Sequence, residues 1–408
     1  MPDVDLFQQA LGLEEPWEVV DVQFDPARRR LDLRIDFPKG ARFPCPECGA
    51  AGCKVHDTER HTWRHMNFWQ HETYLSARVP RVICPEHGTR QVQVPWARER
   101  SDFTLLFEAF VMALVKEMPV KAIGGLVSEH DTKIWRIVHH YVDLAVEAQD
   151  LAETEELGID DTSFRRGQDY VTVFADLAPS ERRAVFVTEG RDQQTVEQFA
   201  TFLTGHGGEA KQIVEVCQDM SQAYAAGVRE HLPKARLTFD RYHVKQKLSE
   251  AVDTVRKVEA KQHKELLKGT KYLWLKRADK LTVKQLDWLD DLLGQPLDTA
   301  RAYEHALRFD DFYELRDPAT AEEYLRRWVT EAKDSELEPM VKFAEMLEAH
   351  WDGVLRWHRT RVSNGLLEGL NSLIQAAKRR ARGYRSARNY KTMIYLVAGK
   401  LSPGPQVT

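Results

Sequence analysis

The sequence predicts an α+β protein of several domains, and three observations predict it. Two short cysteine/histidine knuckles bracket a strand-like stretch near the start. Strand runs and helix runs then alternate between residues 157 and 240. More than a hundred residues of helical periodicity follow, before a final segment rich in Lys and Arg. In chain order this gives an N-terminal zinc-binding β module, a helix-turn-helix, and an α/β core interrupted by an all-α insertion. At roughly 150 residues per domain, 408 residues are ample for that arrangement. Hydrophobic residues at 43% and charged residues at 30% exclude a wholly disordered chain. No apolar run approaches the ~20 residues of a membrane span, and residues 1–16 lack a signal-peptide pattern. A cytoplasmic protein without a membrane partner is expected.

The first element rests on cysteine spacing. Cys45-Pro-Glu-Cys48 and Cys84-Pro-Glu-His87-Gly88 are near copies with 35 residues between them. Two such knuckles present four ligands in two tight turns, which suits a closed tetrahedral Zn²⁺ site of structural type. Cys53, His56, His61 and His65 lie nearby and can replace one ligand. Trp63, Phe68, Trp69, Tyr74, Leu75, Ala77, Val79 and Val82 read as strands linking the knuckles. Cys217, in the apolar run 213–217, is expected in the core.

The second element follows directly. Apolar residues recur at helical spacing over 103–116 (Phe103, Leu106, Phe107, Phe110, Leu114), and Pro119 stops that helix. Residues 120–127 form a short helix, 128–130 a turn, and Asp131 an expected N-cap. The helix it opens carries Ile134, Trp135, Ile137 and Val138 inward and Lys133, Arg136, His139 and His140 outward. That is a helix-turn-helix whose second helix can enter a major groove, with Lys133 and Arg136 as DNA-binding candidates.

The third element is read from strand order. Runs at 157–164, 170–176 and 184–187 suggest an antiparallel meander. A helix at 195–203, a strand at 213–217, a helix at 221–231 and a strand at 236–240 complete the order of a ribonuclease-H-like core. In such a core the middle of the first strand and the end of the fourth lie side by side, which brings Asp160 near Asp219. Hard carboxylate oxygens there suit a pair of Mg²⁺ ions and in-line phosphoryl displacement. A third acid is expected from a later helix, and Glu368 is the candidate. The intervals are 59 residues from Asp160 to Asp219 and 149 from Asp219 to Glu368. Residues from about 244 to 361 read as helices throughout, too long for a loop and hence an all-α insertion. Its Lys257, Lys261, Lys264, Lys268, Lys271, Lys276 and Arg277 are either DNA contacts or a solvated face.

Charge is segregated along the chain. The net charge of −5 argues against a nucleic-acid partner held by bulk charge. Resolved by position, residues 1–371 carry 50 basic and 63 acidic side chains, a balance of −13. The rest carries eight basic residues and no acid: Lys378, Arg379, Arg380, Arg382, Arg385, Arg388, Lys391 and Lys400. Tyr384 and Tyr390 interleave this run, and Lys378, Arg379, Arg380, Arg382 and Arg385 are candidate phosphate contacts.

These residues resemble those of bacterial insertion-sequence transposases of the ISL-three group. The resemblance lies in the order of knuckles, helix-turn-helix, Gly158-Ile159-Asp160, Asp219 and Asp240-Arg241-Tyr242-His243. Its most specific part is Ser363-Asn364-Gly365, Glu368-Gly369, Asn371, Lys378-Arg379 and Arg382-Gly383-Tyr384, and it covers essentially the whole chain. It implies a DDE-type transposase whose ribonuclease-H-like α/β catalytic core holds catalytic Mg²⁺ (or Mn²⁺) through Asp160, Asp219 and Glu368. The family pattern sets an Asp before a second acid in the first strand, which selects Asp160 over Asp161. Strand alternation allows only one of the two to face the metals. The family's second knuckle often ends in cysteine, where this chain has His87.

The implied activity is recognition of terminal inverted repeats in double-stranded DNA, pairing of two ends by a homodimer, strand cleavage, and strand transfer into target DNA. Asp240 and His243 position DNA or the third carboxylate, or serve as cap and core. Two other readings share these residues: a transcriptional regulator with a non-catalytic core, and a repair or resolving nuclease. Three intact acids count against the first, and inverted repeats flanking the gene would separate the second. The expected divisions are 1–100 for the zinc-binding domain, 101–150 for the helix-turn-helix, 151–245 for the first part of the core, 246–360 for the helical insertion, and 361–408 for the last core helix with the basic segment.

Overall fold

A computed structural model describes residues 2–165, 169–276, 280–361 and 365–405. Arg277 of the insertion's basic run and Ser363-Asn364 of the C-terminal motif fall outside the described residues. The chain divides into two compact units, Met1–Ala145 with Leu401–Thr408, and Val146–Lys400.

The first unit opens with helix α1 (Pro2–Ala10) and strands β1 (Glu18–Asp25), β2 (Arg30–Asp36), β3 (Arg42–Phe43), β4 (Cys53–Phe68), β5 (His71–Cys84) and β6 (Gly88–Gln91). They form one sheet in the order β1-β2-β5-β4-β3, with β6 pairing β5. β2 and β5 run parallel and the other pairs antiparallel. Alternation decides the buried face: Leu31, Leu33 and Ile35 on β2 and Thr73, Leu75, Ala77 and Val79 on β5 point inward. Over them lock Trp17, Phe37, Phe43, Trp63 and Trp96, with ring pairs 5.0–5.5 Å apart. Strands were expected only between the knuckles; β1 and β2 extend that sheet from upstream.

Helices α2 (Leu105–Val115), α3 (Val120–Val127) and α4 (Asp131–Glu147) follow. The Thr104 hydroxyl caps α2 by accepting from the Phe107 amide, and α3 ends on Ser128 in a left-handed conformation. Ile134, Ile137, Val138, Tyr141 and Val142 form the buried stripe of α4. Two details depart from expectation. Asp131 lies inside the first turn of α4, where its charge suits the positive end of the helix dipole. Trp135 is only half-buried and stacks on the His139 ring at 5.3 Å. Between α2 and α4 the buried Glu108 accepts from Arg98, Ser101 and the Tyr141 hydroxyl, so its charge is fully paired.

The second unit contains β7 (Glu156–Ser163), β8 (Tyr170–Asp176), β9 (Arg183–Glu189), α5 (Gln193–Gly205), β10 (Glu215–Gln218), α6 (Gln222–His231) and β11 (Arg236–Phe239). The sheet order is β11-β10-β7-β8-β9, with β10 parallel to β7 and β11 and the β7-β8-β9 meander antiparallel. Leu157, Ile159, Phe174 and Val216 pack one sheet face against Val196 and Phe199 of α5 and Tyr224 and Val228 of α6. The strand expected at 213–217 begins only at Glu215, because residues 210–212 make a 3-10 turn. Cys217 is fully buried, as expected.

Residues 241–360 then form only helices among their described residues: α7 (Arg241–Glu259), α8 (Lys264–Leu267), α9 (Lys271–Leu275), α10 (Val283–Leu293), α11 (Asp298–Glu314), α12 (Pro318–Asp334), α13 (Glu338–Ala349) and α14 (Trp351–Thr360). Their core is built on Phe309, Phe312, Trp328, Phe343 and Leu347. α14 returns to the sheet, where Arg356 donates to the buried Glu215 of β10 at 2.6 Å. The last helices, α15 (Gly365–Arg380) and α16 (Ala387–Ala398), cover the face opposite α5 and α6. Among the described residues no helix is long and apolar enough to cross a membrane.

Candidate active site and metal centre

Each cysteine knuckle is a tight turn closed by its own backbone. The Cys45 amide donates to the Ala50 carbonyl and the Gly49 amide to the Cys45 carbonyl, both at 2.9 Å. Gly49 and Gly88, the residues after Cys48 and His87, share a left-handed φ of 69° and 68°, which a side chain would strain. The turns bring Cys45 Sγ, Cys48 Sγ, Cys84 Sγ and one His87 ring nitrogen within 4.8 Å of one another. Cys48 Sγ stands 3.6 Å from Cys84 Sγ, and His87 Nδ1 stands 3.6 Å from Cys84 Sγ and 3.9 Å from Cys45 Sγ. Ligands on a tetrahedral zinc are about 3.6–3.8 Å apart given Zn–S and Zn–N bonds of about 2.3 and 2.1 Å. The donor set and its spacing therefore fit Zn²⁺. His87 turns its other nitrogen toward the Glu47 carboxylate at 3.5 Å, the outer partner that orients a ligating imidazole. Sequence reading missed Glu47, although it sits inside the first knuckle.

The alternative ligands are engaged elsewhere. Cys53 Sγ donates to the Ala50 carbonyl, His65 Nδ1 bonds the Thr104 hydroxyl, His61 stacks on Trp63, and His56 pairs with Asp57. Burial holds the His65 imidazole down at about 4.

Two of the acids come from neighbouring parallel strands of the second sheet. Register pairs Gln218 of β10 with Ile159 of β7, so the next residues on these parallel strands, Asp219 and Asp160, stand side by side. Asp160 is pushed up to about 6, first by burial and further by the charges of Asp161 and Asp219. Its Oδ1 accepts from the Asp161 amide at 2.8 Å, and Oδ2 accepts from the Asn371 side chain. Asp161 points to the opposite sheet face, that of Tyr224, and burial with the Asp219 charge raises it as well. The charges of His243 and Arg191 act the other way, His243 on both acids and Arg191 on Asp161. Asp240 is buried at the end of β11 and occupies the N-cap position of α7.

α15 is matched to β7 residue by residue. Leu367 covers Gly158, where a Cβ would stand 2.5 Å from a Leu367 methyl. Asn371 donates to Asp160, Gln375 donates to Thr162 at 2.6 Å, and Lys378 donates to the Ser163 carbonyl. Four helical residues rise about 6.0 Å and two strand residues about 6.6 Å, so a period of four on α15 keeps step with a period of two on β7. Glu368 follows Leu367 on this helix, one turn before Asn371, and is exposed. Among the described residues, the Cys/His cluster is the one set of three or more Cys, His, Asp or Glu whose ligand atoms all lie within 4.8 Å. Asp160, Asp219 and Glu368 are not drawn together that closely. Sequence reading missed Gln375 and the bond Asn371 makes; the signal was polar residues spaced by four on the helix that carries Glu368.

The DNA-contact candidates divide. Arg136 is exposed on α4, whereas Lys133 pairs with Glu129 at 2.9 Å and lies over the Phe103 ring. Arg379, Arg380, Arg382 and Arg385 are exposed. Lys378 is half-buried against β7, and burial lowers its pKa. Tyr384 and Tyr390 stack on each other at 5.2 Å, and the Tyr390 hydroxyl lies 3.2 Å from that of Thr162, so this pair packs inward. In the insertion, Lys257 is paired with Asp253.

Three segments of the chain match known transposase families. The zinc-finger of transposase IS204/IS1001/IS1096/IS1165 matches residues 41–87, and the helix-turn-helix domain of transposase family ISL3 matches 92–142. The ISL3 transposase domain matches 157–394, more than half the chain. The transposase for insertion sequence element IS1001 of Bordetella parapertussis is 27% identical, covering 92% of this chain and 94% of that protein. The transposase for element IS1557 of Mycobacterium tuberculosis is also 27% identical, covering 95% of this chain and 93% of that protein. A simian T-cell lymphotropic virus intasome chain overlaps at a TM-score of 0.17 and 12% identity, over 49% of this chain and 64% of that one, too slight a likeness to bear on fold or function. With three of its segments matched in order, the chain belongs to the ISL3 family of transposases.

Proposed function

We propose that this protein is a DDE-type transposase that binds the terminal inverted repeats of an insertion sequence, cuts the DNA strand there, and transfers the freed end into target DNA. The observation that carries the reading is the register of β7 and β10, which sets Asp160 beside Asp219 while α15, the helix of Glu368, bonds Asp160 through Asn371. We take the five-stranded sheet as a ribonuclease-H-like core and residues 246–360 as its all-α insertion, on strand order and on the large hydrophobic cluster the helices form. Among the described residues that cluster reaches the sheet only at Phe239 of β11 and Met220. The remaining divisions stay as the sequence sets them: a zinc module to about residue 100, a helix-turn-helix to about 150, and the last core helix with its basic segment from 361.

Asp160, Asp219 and Glu368 would hold Mg²⁺ or Mn²⁺, and the Asp160 carboxyl, raised first by burial and then by its acidic neighbours, is a hard oxygen donor whose charge a divalent cation would offset. Bound there, such ions supply positive charge for the attacking and leaving oxygens of an in-line displacement. Asn371 holds the Asp160 carboxylate in one orientation. The zinc module and α4 engage the DNA end, Arg136 facing the groove, while Arg379, Arg380, Arg382 and Arg385 take phosphates beside the acids. Two ends require two subunits, so the working assembly is a homodimer, acting in the cytoplasm at the nucleoid. That the relatives named above are transposases favours this reading over a transcriptional regulator.

The test is Mg²⁺-dependent cleavage of DNA from the ends of the element by wild type and by Asp160→Ala, Asp219→Ala and Glu368→Ala. A loss of about a thousandfold is expected for each, since several kcal/mol of charge stabilisation are removed. Normal cutting by all three would overturn the assignment.

A further inference from the structure

Two turns of the first unit have no role in the reading above, and they lie side by side. One joins β1 to β2 through Pro26-Ala27-Arg28-Arg29 and the other joins β4 to β5 through Trp69-Gln70. The parallel pairing of β2 with β5 sets Arg30 against Glu72, and the Glu72 amide donates to the Arg29 carbonyl at 2.9 Å. The Phe24 ring meets the His71 ring edge-on at 4.6 Å. An arginine turn and a tryptophan turn thus share one end of the sheet.

Both turns present their large side chains to solvent. Trp69 is 80% exposed and holds a left-handed φ of 54°, an outlier for so bulky a residue. Its ring stacks on Phe68 at 4.6 Å, and Phe7 packs edge-on against Phe68 at 5.6 Å, which props the indole outward. The Arg28 side chain is 83% exposed, with the Asp25 carboxylate 3.6 Å away, and Arg29 is exposed at a φ of 52°.

The same end of the sheet is fixed to the helix-turn-helix. Arg64 is 3% exposed and donates to the His65 carbonyl, the Asn67 side chain and the Thr73 carbonyl within the hairpin. It also donates to the Val127 carbonyl at the end of α3, and Glu129 of the turn lies 4.0 Å away. Glu129 in turn pairs with Lys133 in the first turn of α4. A buried guanidinium bonded on both sides holds the hairpin tip against the helix-turn-helix turn. In helix-turn-helix proteins it is the start of the second helix that meets the bases.

We propose that this double turn is a second contact surface for double-stranded DNA. Arg28 and Arg29 bind backbone phosphates, and Trp69 sets its ring into the groove beside the segment met by α4. Guanidinium forks match phosphate oxygens, and apolar side chains wedged at base steps are an established way of gripping a duplex. The proposal rests on the helix-turn-helix reading, so its test must separate the two.

Full-length protein is titrated into a fluorescein-labelled duplex taken from the DNA flanking the gene, and into a scrambled duplex of equal length. Anisotropy is read over a salt series and hydroxyl-radical protection is mapped. Trp69→Gly suits the left-handed backbone, so it should keep the melting temperature and zinc content while binding about tenfold more weakly, with the salt slope unchanged. The Arg28→Ala, Arg29→Ala double variant should lower the salt slope by about 2, and both variants should lose protection over the same base pairs. Arg136→Ala is the control. If it weakens binding while the tip variants match wild type in affinity, slope and footprint, this proposal fails alone. If all three variants bind as wild type, the helix-turn-helix reading fails with it. Tip variants that change self-association in sedimentation at unchanged DNA affinity would make the surface a protein contact and overturn the proposal.

Discussion

At Cys45, Cys48, Cys84 and His87 four ligand atoms converge within 4.8 Å, from two turns of the same short design. At Asp160, Asp219 and Glu368 the acids come from a strand, the residue just past a second strand, and an exposed helical position more than a hundred residues further on. In the first region geometry is local: a closed turn and a glycine set each knuckle, and one hairpin brings the two together. In the second, strand register sets the pair Asp160 and Asp219, while Glu368 depends on how α15 seats on β7. Soft ligands in two tight turns are brought within zinc-binding reach by short-range backbone geometry. Asp160 rises to about 6 chiefly because it is buried, and the neighbouring charges of Asp161 and Asp219 add to the shift.

The contrast is open to attack at several points. The largest effect is expected from zinc. Metal analysis should find one zinc per chain, and chelation or Cys84→Ser should melt the first unit, with loss of signal from Trp17, Trp63 and Trp96. The cost is on the order of 10 kcal/mol, the scale of structural zinc binding. A chelated protein that keeps this signal would refute the structural role.

Next comes pH. Asp160 has a folded pKa near 6 against an ordinary value of 3.8, so it favours the native state most when protonated. Its contribution is fully present below about pH 3.8 and is lost as pH rises through 6, about 3 kcal/mol at most. Denaturation of wild type and Asp160→Asn in buffer free of Mg²⁺ and Mn²⁺, with zinc retained, should show a steeper slope in wild type. Parallel profiles would remove this account of Asp160.

A smaller loss is expected where α15 seats. Gly158→Ala forces a methyl onto Leu367 and should cost about 1–3 kcal/mol in melting experiments, together with cleavage activity. Adding Leu367→Ala should recover part of the stability, and no recovery would mean the seat lies elsewhere. Smallest is a difference between neighbours in the basic segment. Arg379→Ala should lower the salt slope of DNA binding by about 1, whereas Lys378→Ala, whose amine is held by Ser163, should leave the slope unchanged and lower the melting temperature. Equal slope changes would make Lys378 a phosphate contact after all.

Much of the site was legible in the chain. The paired knuckles, the helix-turn-helix and the neighbouring acids Asp160 and Asp219 each follow from a repeat, a period or a strand order that short-range chemistry enforces. The division of the basic run was not legible. Lys378 and Arg379 are adjacent and alike in charge, and only the helix face separates a strand-binding lysine from an exposed arginine. Asn371 was visible as part of a motif but not as a ligand of Asp160, because that bond spans 211 residues.

The sequence by itself determined the donor types, the pairing of the two knuckles, and the segregation of positive charge behind Glu368. Those are local properties, written in residue identity and spacing. Tertiary structure alone decided which sheet face each of Asp160 and Asp161 takes, that α15 keeps step with β7, and that the Arg28 and Trp69 turns meet beside the helix-turn-helix. Each of these depends on the register between segments far apart in the chain, which packing and backbone pairing fix only when the segments are folded together.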